Sequence, residues 1–310
     1  MRVQPQRGSR NHGAIDEQSG LRTASRLRSE PLSRTELMIV GVLALIWVPG
    51  FLALSDIWST VDYASHGYLV PVVALWAATA HRERLADLPS EPLPGGLLIL
   101  AGVGVGYVAG LLFGQATILG LLAVVTVVAC VLALRGPGWV KALRFPLAYL
   151  LFMVPLPISW VTPVIVKLQL LVSTIGVRIL QGGGVAVFRE GNVLSLPGDQ
   201  SLFVAEACSG ITSLITLIPI GVFIAYFTEV VPWRRAVLVV SVLPIALAGN
   251  LIRVILTVAL ATSVDVEFAT KGPLHEWAGV ATYVLGCLCL LGIGAALRLF
   301  IPEPELEAAA

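Results

Sequence analysis

The stretch GLLILAGVGVGYVAGLLFGQATILGLLAVVTVVACVLALR, residues 96–135, decides the fold class. From Gly96 to Leu134 it holds no charged side chain, and its one break is Gly114-Gln115. A helix needs about 20 apolar residues to cross the hydrocarbon of a bilayer. The stretch therefore reads as two spans, 96–113 and 115–134. Gly102, Gly106 and Gly110 recur at every fourth position, a spacing that lets helices approach closely. A nucleotide-binding reading of these glycines fails, since no strand precedes them.

Outward from this stretch the composition agrees. Of 310 residues, 57% are hydrophobic and 13% charged, and the mean hydropathy is +0.89. Soluble domains carry roughly 25% charged residues, so the expected solvent for most of this surface is the lipid bilayer. Further candidate spans lie near 37–54, 66–80, 145–158, 208–227, 236–263 and 277–300. The expected fold is an all-α polytopic membrane protein of about eight transmembrane helices.

Charge sets the orientation. Residues 1–36 carry seven arginines, Arg2 to Arg34, and too few apolar residues to fold, so a disordered cytoplasmic tail is expected. The loop with Asp56 and Asp62 reads as outward. His81 to Arg84, the set Arg135, Lys141 and Arg144, the pair Arg234-Arg235, and Arg298 read as inward. Both termini, including residues 301–310, are then cytoplasmic, and residues 37–300 form one membrane-embedded domain in the cytoplasmic membrane. A net charge of +1 leaves no basic face for nucleic acid.

Residues 159–182 are expected to differ. Lys167, Thr174, Arg178 and Gln181 fall on one helical face, as in an amphipathic helix lying at the outer interface. After Gly182-Gly183-Gly184, residues 185–196 alternate around Glu190-Gly191-Asn192, which reads as a small β-hairpin. Residues 159–207 thus form an outer-face insertion.

Chemistry-bearing residues converge on that side. Cys208 opens the sixth expected span at its outer end. His275 falls in the outer loop 264–276. Arg253 lies within the seventh span, about 15 Å from its outer end at 1.5 Å per residue. A thiol attacks a carbonyl as thiolate, which a helix start and nearby cations favour. His275 is suited to move the proton from the thiol to a leaving amine. Arg253 is suited to stabilise either the thiolate or a tetrahedral oxyanion, and both roles stay open. An arginine at a span centre costs about 2.5–3.5 kcal/mol, so its presence asks for a purpose. Asn250, three residues earlier on the same face, is placed to orient it by hydrogen bonding. Glu206 opposes thiolate formation if close, or else orients His275 or binds a basic part of a substrate. Ser209 and Ser213 read as helix-bonding hydroxyls. Cys130, Cys287 and Cys289 show no metal-ligand spacing and read as small apolar residues, with Cys287 and Cys289 pointing to nearly opposite sides. No metal or cofactor is expected.

The blocks Glu206-Ala207-Cys208-Ser209-Gly210-Ile211 and Asn250-Leu251-Ile252-Arg253, then His275 with Gly279 four residues on, resemble the signature of the exosortase/archaeosortase family. Ser65-His66-Gly67-Tyr68 and the stretch Phe145–Pro157 are similar too, so the resemblance covers roughly residues 37–300. It implies a sortase-like membrane cysteine peptidase or transpeptidase. Its partners would be exported proteins with a C-terminal signal of the PEP-CTERM kind: a short motif, a hydrophobic span and a basic tail. By the same resemblance Cys208, Arg253 and His275 are the catalytic set, facing the exterior, and His66 and Asn250 are supporting candidates. The alternatives are a transporter subunit, with Pro244 and Gly249 interrupting a polar span, and a non-catalytic assembly protein for envelope polysaccharide.

Overall fold

In lipid every backbone N–H and C=O must be satisfied within the chain, which leaves helices as the economical solution for this sequence. The structure is a computed structural model describing residues 33–191, 193–197, 200–203, 210–271 and 273–300, with backbone alone at 210–214 and 271–276. The expected tails lie outside the described residues, except for Ser33 to Glu36. The chain is mostly helical and divides into two compact units. One comprises the residues up to Thr60 and Gly67–Pro155, the other Val61–His66 and the residues from Leu156.

In the first unit, α1 (Arg34–Ile46) begins inside the expected tail. Ser33 and Glu36 form a reciprocal capping box, each side chain accepting from the other's backbone N–H. Helix α2 (Val48–Thr60) follows after a 51° bend. Pro49 stands there and lacks the N–H that would carry the hydrogen-bond ladder through. After the 3-10 segment Asp62–Tyr68 come α3 (Leu69–Ala80) and the short α4 (Arg82–Ala86). The quoted stretch forms the expected pair, α5 (Gly96–Phe113) and α6 (Ala116–Arg135). Their turn passes through Gly114 at φ +63°, a left-handed conformation that favours glycine. Gly106 and Gly110 both face Leu122, whose methyls lie 3.2 Å from where a Cβ would stand, whereas Gly102 has nothing within 4 Å. Helices α7 (Pro137–Ala142) and α8 (Arg144–Tyr149) and a 3-10 turn to Met153 complete the unit. The indole of Trp58 donates to the Met153 carbonyl at 3.1 Å.

The second unit opens with α9 (Ile158–Gly182). Leu168 packs on the cluster of Leu217, Val242, Ala246 and Leu290, and Val172, Val177 and Leu180 share a cluster with Val254, Val258 and Ala261. Gly176 lets Val254 approach within 3.4 Å of its Cβ position. The helix therefore packs along α11 (Pro232–Ser263), and it is long and apolar enough to cross a membrane, where an amphipathic helix at the outer interface was expected. Its polar side chains Lys167, Arg178 and Gln181 do face outward. The expected hairpin is present as β1 (Phe188–Glu190) and β2 (Val193–Leu196), turning through Gly191, and a third antiparallel strand, β3 (Gln200–Phe203), extends it. Leu194, Leu196 and Leu202 seat this sheet on the cluster shared with α9 and α11. Helices α10 (Gly210–Thr228), α12 (Val266–Lys271) and α13 (Pro273–Phe300) pack around α11.

Among the described residues five helices, α5, α6, α9, α11 and α13, are long and apolar enough to cross a membrane, or six if the bent pair α1–α2 is one span. The other expected spans correspond to shorter apolar helices: α3, Arg144–Met153, and Ile215–Thr228 within α10. Length and composition thus support a multi-pass membrane protein without reaching the expected eight.

Candidate active site

The site is best built from the packing of α10, α11 and α13. Gly286 of α13 is where Leu217 of α10 and Ile245 of α11 meet, 3.1 and 3.7 Å from its Cβ position. Gly221 packs against Val242 and Glu229 approaches Arg234, so α10 and α11 run antiparallel. Seven or eight residues from that meeting point, about 10 to 12 Å along each helix, stand Gly210 at the start of α10, Arg253 on α11 and Gly279 on α13.

Arg253 is 7% exposed. Three guanidinium atoms lie 3.7–3.9 Å from the Cβ position of Gly279, so the planar cation rests against this glycine at ordinary contact distance. His275 stands four residues before Gly279 on the same helix, hence one turn away on the same face. It is not in a loop, as the sequence suggested: α13 begins at Pro273, a residue favoured at a first helical position, which draws His275 into the first turn. The structure thus brings the Arg253 side chain to within one helical turn of the His275 position.

Asn250 is 2% exposed, and neither its Oδ1 nor its Nδ2 has a hydrogen-bond partner among the described residues. The expected bond from Asn250 to Arg253 is not made. Thr257, 6% exposed and four residues beyond Arg253, was not singled out from the sequence. The i, i+3, i+7 stripe Asn250, Arg253, Thr257 was the signal for it. The Thr216 hydroxyl and the Tyr283 phenol, 2.6 Å apart, form a further polar contact between α10 and α13. His66 is half-buried on the segment Asp62–Tyr68. Glu206, Cys208 and Ser209 lie outside the described residues. Of the other cysteines, Cys130 and Cys287 are half-buried and Cys289 is exposed.

A buried cation one helical turn from the backbone position of His275 suits chemistry in which negative charge develops out of contact with water. No curated protein and no solved structure matches the chain. A family model described as transmembrane exosortase matches residues 58–292, a range that contains Cys208, Asn250, Arg253, His275 and Gly279. The chain belongs to the transmembrane exosortase family, a family of membrane cysteine peptidases and transpeptidases acting on exported proteins with C-terminal sorting signals.

Proposed function

We propose that this protein cleaves C-terminal sorting signals of exported proteins through a thioester on Cys208. The observation that carries the reading is the buried Arg253 guanidinium held against Gly279, one turn from His275 and level with the start of α10. Cys208 precedes that helix start by two residues.

In the proposed reaction the Cys208 thiol gives its proton to His275, and the thiolate attacks the scissile carbonyl. The carbonyl π electrons move onto oxygen, and Arg253 stabilises that oxyanion, or the thiolate before it. Collapse breaks the C–N bond, and the leaving amine takes the proton from His275. Water, or an amine on an acceptor, then attacks the thioester and returns the thiol. Arginines 234, 235 and 298 gather at the opposite end of the same three helices, the end that the positive-inside bias assigns to the cytoplasm. The site then opens toward the exterior, where exported proteins arrive.

The test is Cys208→Ala in the native host. Expected is accumulation of uncut precursors that share a C-terminal motif, span and basic tail, with the variant present at normal level in the membrane. Normal processing by a stably folded variant overturns the reading.

A further inference from the structure

The small sheet of the second unit has two edges, and they differ. At the β1 edge the chain is tied back to α9: Gln181 Nε2 donates to the Val187 carbonyl at 2.8 Å, and the Val185 N–H donates to the Leu180 carbonyl at 3.0 Å. At the β3 edge, among the described residues, no main-chain hydrogen bond reaches another element. Gln200, Ser201 and Phe203 are exposed there, Phe203 at 56%, while Leu202 between them is fully buried.

The register fixes which groups that edge offers. Glu190 and Val193 flank a two-residue turn, so they form a hydrogen-bonded pair. Bonded and unbonded pairs alternate along an antiparallel ladder. Val193 and Ser195 are therefore bonded to β1, and Leu194 and Leu196 to β3, where their partners are Leu202 and Gln200. The N–H and C=O groups of Ser201 and Phe203 are left pointing away from the sheet, at the two-residue spacing that a further strand requires. Exposed edges are usually blocked by charge or proline. Strand β3, Gln200-Ser201-Leu202-Phe203, has neither.

Position indicates the occupant. Leu202 belongs to the cluster of Val258 and Ala261, which stand five and eight residues beyond Arg253 on α11, about 8 to 12 Å along the helix. The open edge is thus at the end of the unit that holds Arg253. Cys208 follows Phe203 by five residues, a length that extended chain covers in at most about 18 Å.

We propose that the β3 edge takes an extended segment of the exported substrate as a fourth strand, bonded through its main chain to Ser201 and Phe203, with an apolar substrate side chain against the Phe203 ring. In strand addition the main-chain bonds supply affinity and the alternating side chains supply selectivity. The identity of the peptide rests on the proposed peptidase reading, whereas the strand-accepting edge rests on the register.

Photo-crosslinking in the native host tests this, with benzoylphenylalanine in place of Phe203 in the full-length Cys208→Ala protein. Expected is a crosslink to an exported protein within its C-terminal signal. Ser201→Pro removes an outward N–H and leaves the bonds to β2 intact. It is expected to cut the crosslink about tenfold, the scale of losing main-chain hydrogen bonds, whereas Ser201→Ala keeps the N–H and stays within about twofold. Equal crosslinking in the two variants overturns the proposal. So do crosslinks confined to residues 204–209 of the same chain, to a second copy, or to no exported protein. Should Ser201→Pro fail to reach the membrane, the position of the crosslink decides alone. Processing read in the same Cys208→Ala cells keeps the two readings apart. A substrate cut normally yet crosslinked at the edge removes the thioester and keeps the edge, and an uncut precursor that never crosslinks does the reverse.

Discussion

In the first unit the buried polar side chains among the described residues are Thr126 and Arg135, and each has its partner close by: the Leu122 carbonyl at 2.7 Å and the Glu36 carboxylate at 3.5 Å. The second unit buries Ser173, Thr216, Glu229, Arg234, Asn250, Arg253 and Thr257. Both units hold helices long and apolar enough to cross a membrane. What separates them is how much polar burial each tolerates; among the described residues each unit holds a buried polar atom without a hydrogen-bond partner, Trp139 Nε1 in the first and the Asn250 amide in the second. An unsatisfied buried amide costs about 1–3 kcal/mol, and a chain that keeps one in a core next to a buried arginine keeps it for a task. The first unit reads as scaffold, the second as the working part.

The sharpest way to break this contrast is to exchange equivalent charges. Arg253→Gln is expected to slow precursor processing about 100- to 1000-fold, the scale of losing one donor to a developing oxyanion. Arg253→Lys is expected to recover little, because a point charge lacks the planar fork that lies against Gly279. Arg135→Gln is expected to lower stability but to leave processing per folded molecule within about twofold, since its role is a buried ion pair with Glu36. Processing measured by immunoblot, normalised to membrane-inserted protein, compares the three. Equal losses at Arg253 and Arg135 erase the distinction. His275→Gln is next in size, with an expected loss of about 100-fold for removal of a general acid–base. Thr257→Val, one turn from Arg253 but without a titratable group, is its control.

The two units also differed in how well they could be read before any coordinates. In the first, the pair α5–α6 follows directly from an uncharged run long enough for two crossings, and the turn glycine from its position between them. The bend after α1 was not anticipated, because Pro49 sits in a run whose hydropathy continues unbroken. In the second unit, the pattern of Lys167, Arg178 and Gln181 correctly placed an outward face on α9, but period alone does not say whether the other face meets lipid headgroups or a neighbouring helix. Gly176, which lets α11 approach, was the residue that decided it. Arg253 stood out because charge in an apolar run is conspicuous, whereas His275 was read as part of a loop and its place in the first turn of α13 was not legible. The approach of Arg253 to Gly279 was not legible, since Gly279 entered only through the family resemblance. The contacts of Glu229 with Arg234 and Arg298 were not legible, since Glu229 was not singled out and the arginines were read only as marks of the inward side.

Glycines give a graded test of the same contrast. At Gly279 an added Cβ meets the Arg253 guanidinium at ordinary contact distance, so Gly279→Ala is expected to be tolerated. Gly279→Leu is expected to displace the guanidinium by about 1 Å and lower processing up to about 100-fold, with the protein still folded. At Gly96 a Cβ would stand 2.6 Å from the Ala133 Cα, and backbone cannot give way as a side chain can. Gly96→Ala is expected to destabilise by about 1–3 kcal/mol while processing per folded molecule is unchanged. Thermal unfolding in detergent together with processing rates separates the two outcomes. Asn250→Leu should behave in the opposite sense to Gly96→Ala: unchanged or higher stability, because a buried unsatisfied amide is removed, with slower processing. A variant that loses stability in step with activity indicates that Asn250 is structural.

The smallest expected effect belongs to Thr126→Val. Its hydroxyl donates to the Leu122 carbonyl four residues back in its own helix, an acceptor that the helical ladder already serves. Removing the hydroxyl leaves no buried group without a partner, and valine keeps the shape, so stability should change by about 0.5 kcal/mol or less and processing not at all. That near-silence matters because Thr126 is as deeply buried as Arg253, at 8% against 7% exposed. If depth alone determined importance, the two variants would behave alike. A loss of processing in Thr126→Val would show that the first unit takes part in the chemistry, and the division of labour between the units would have to be redrawn.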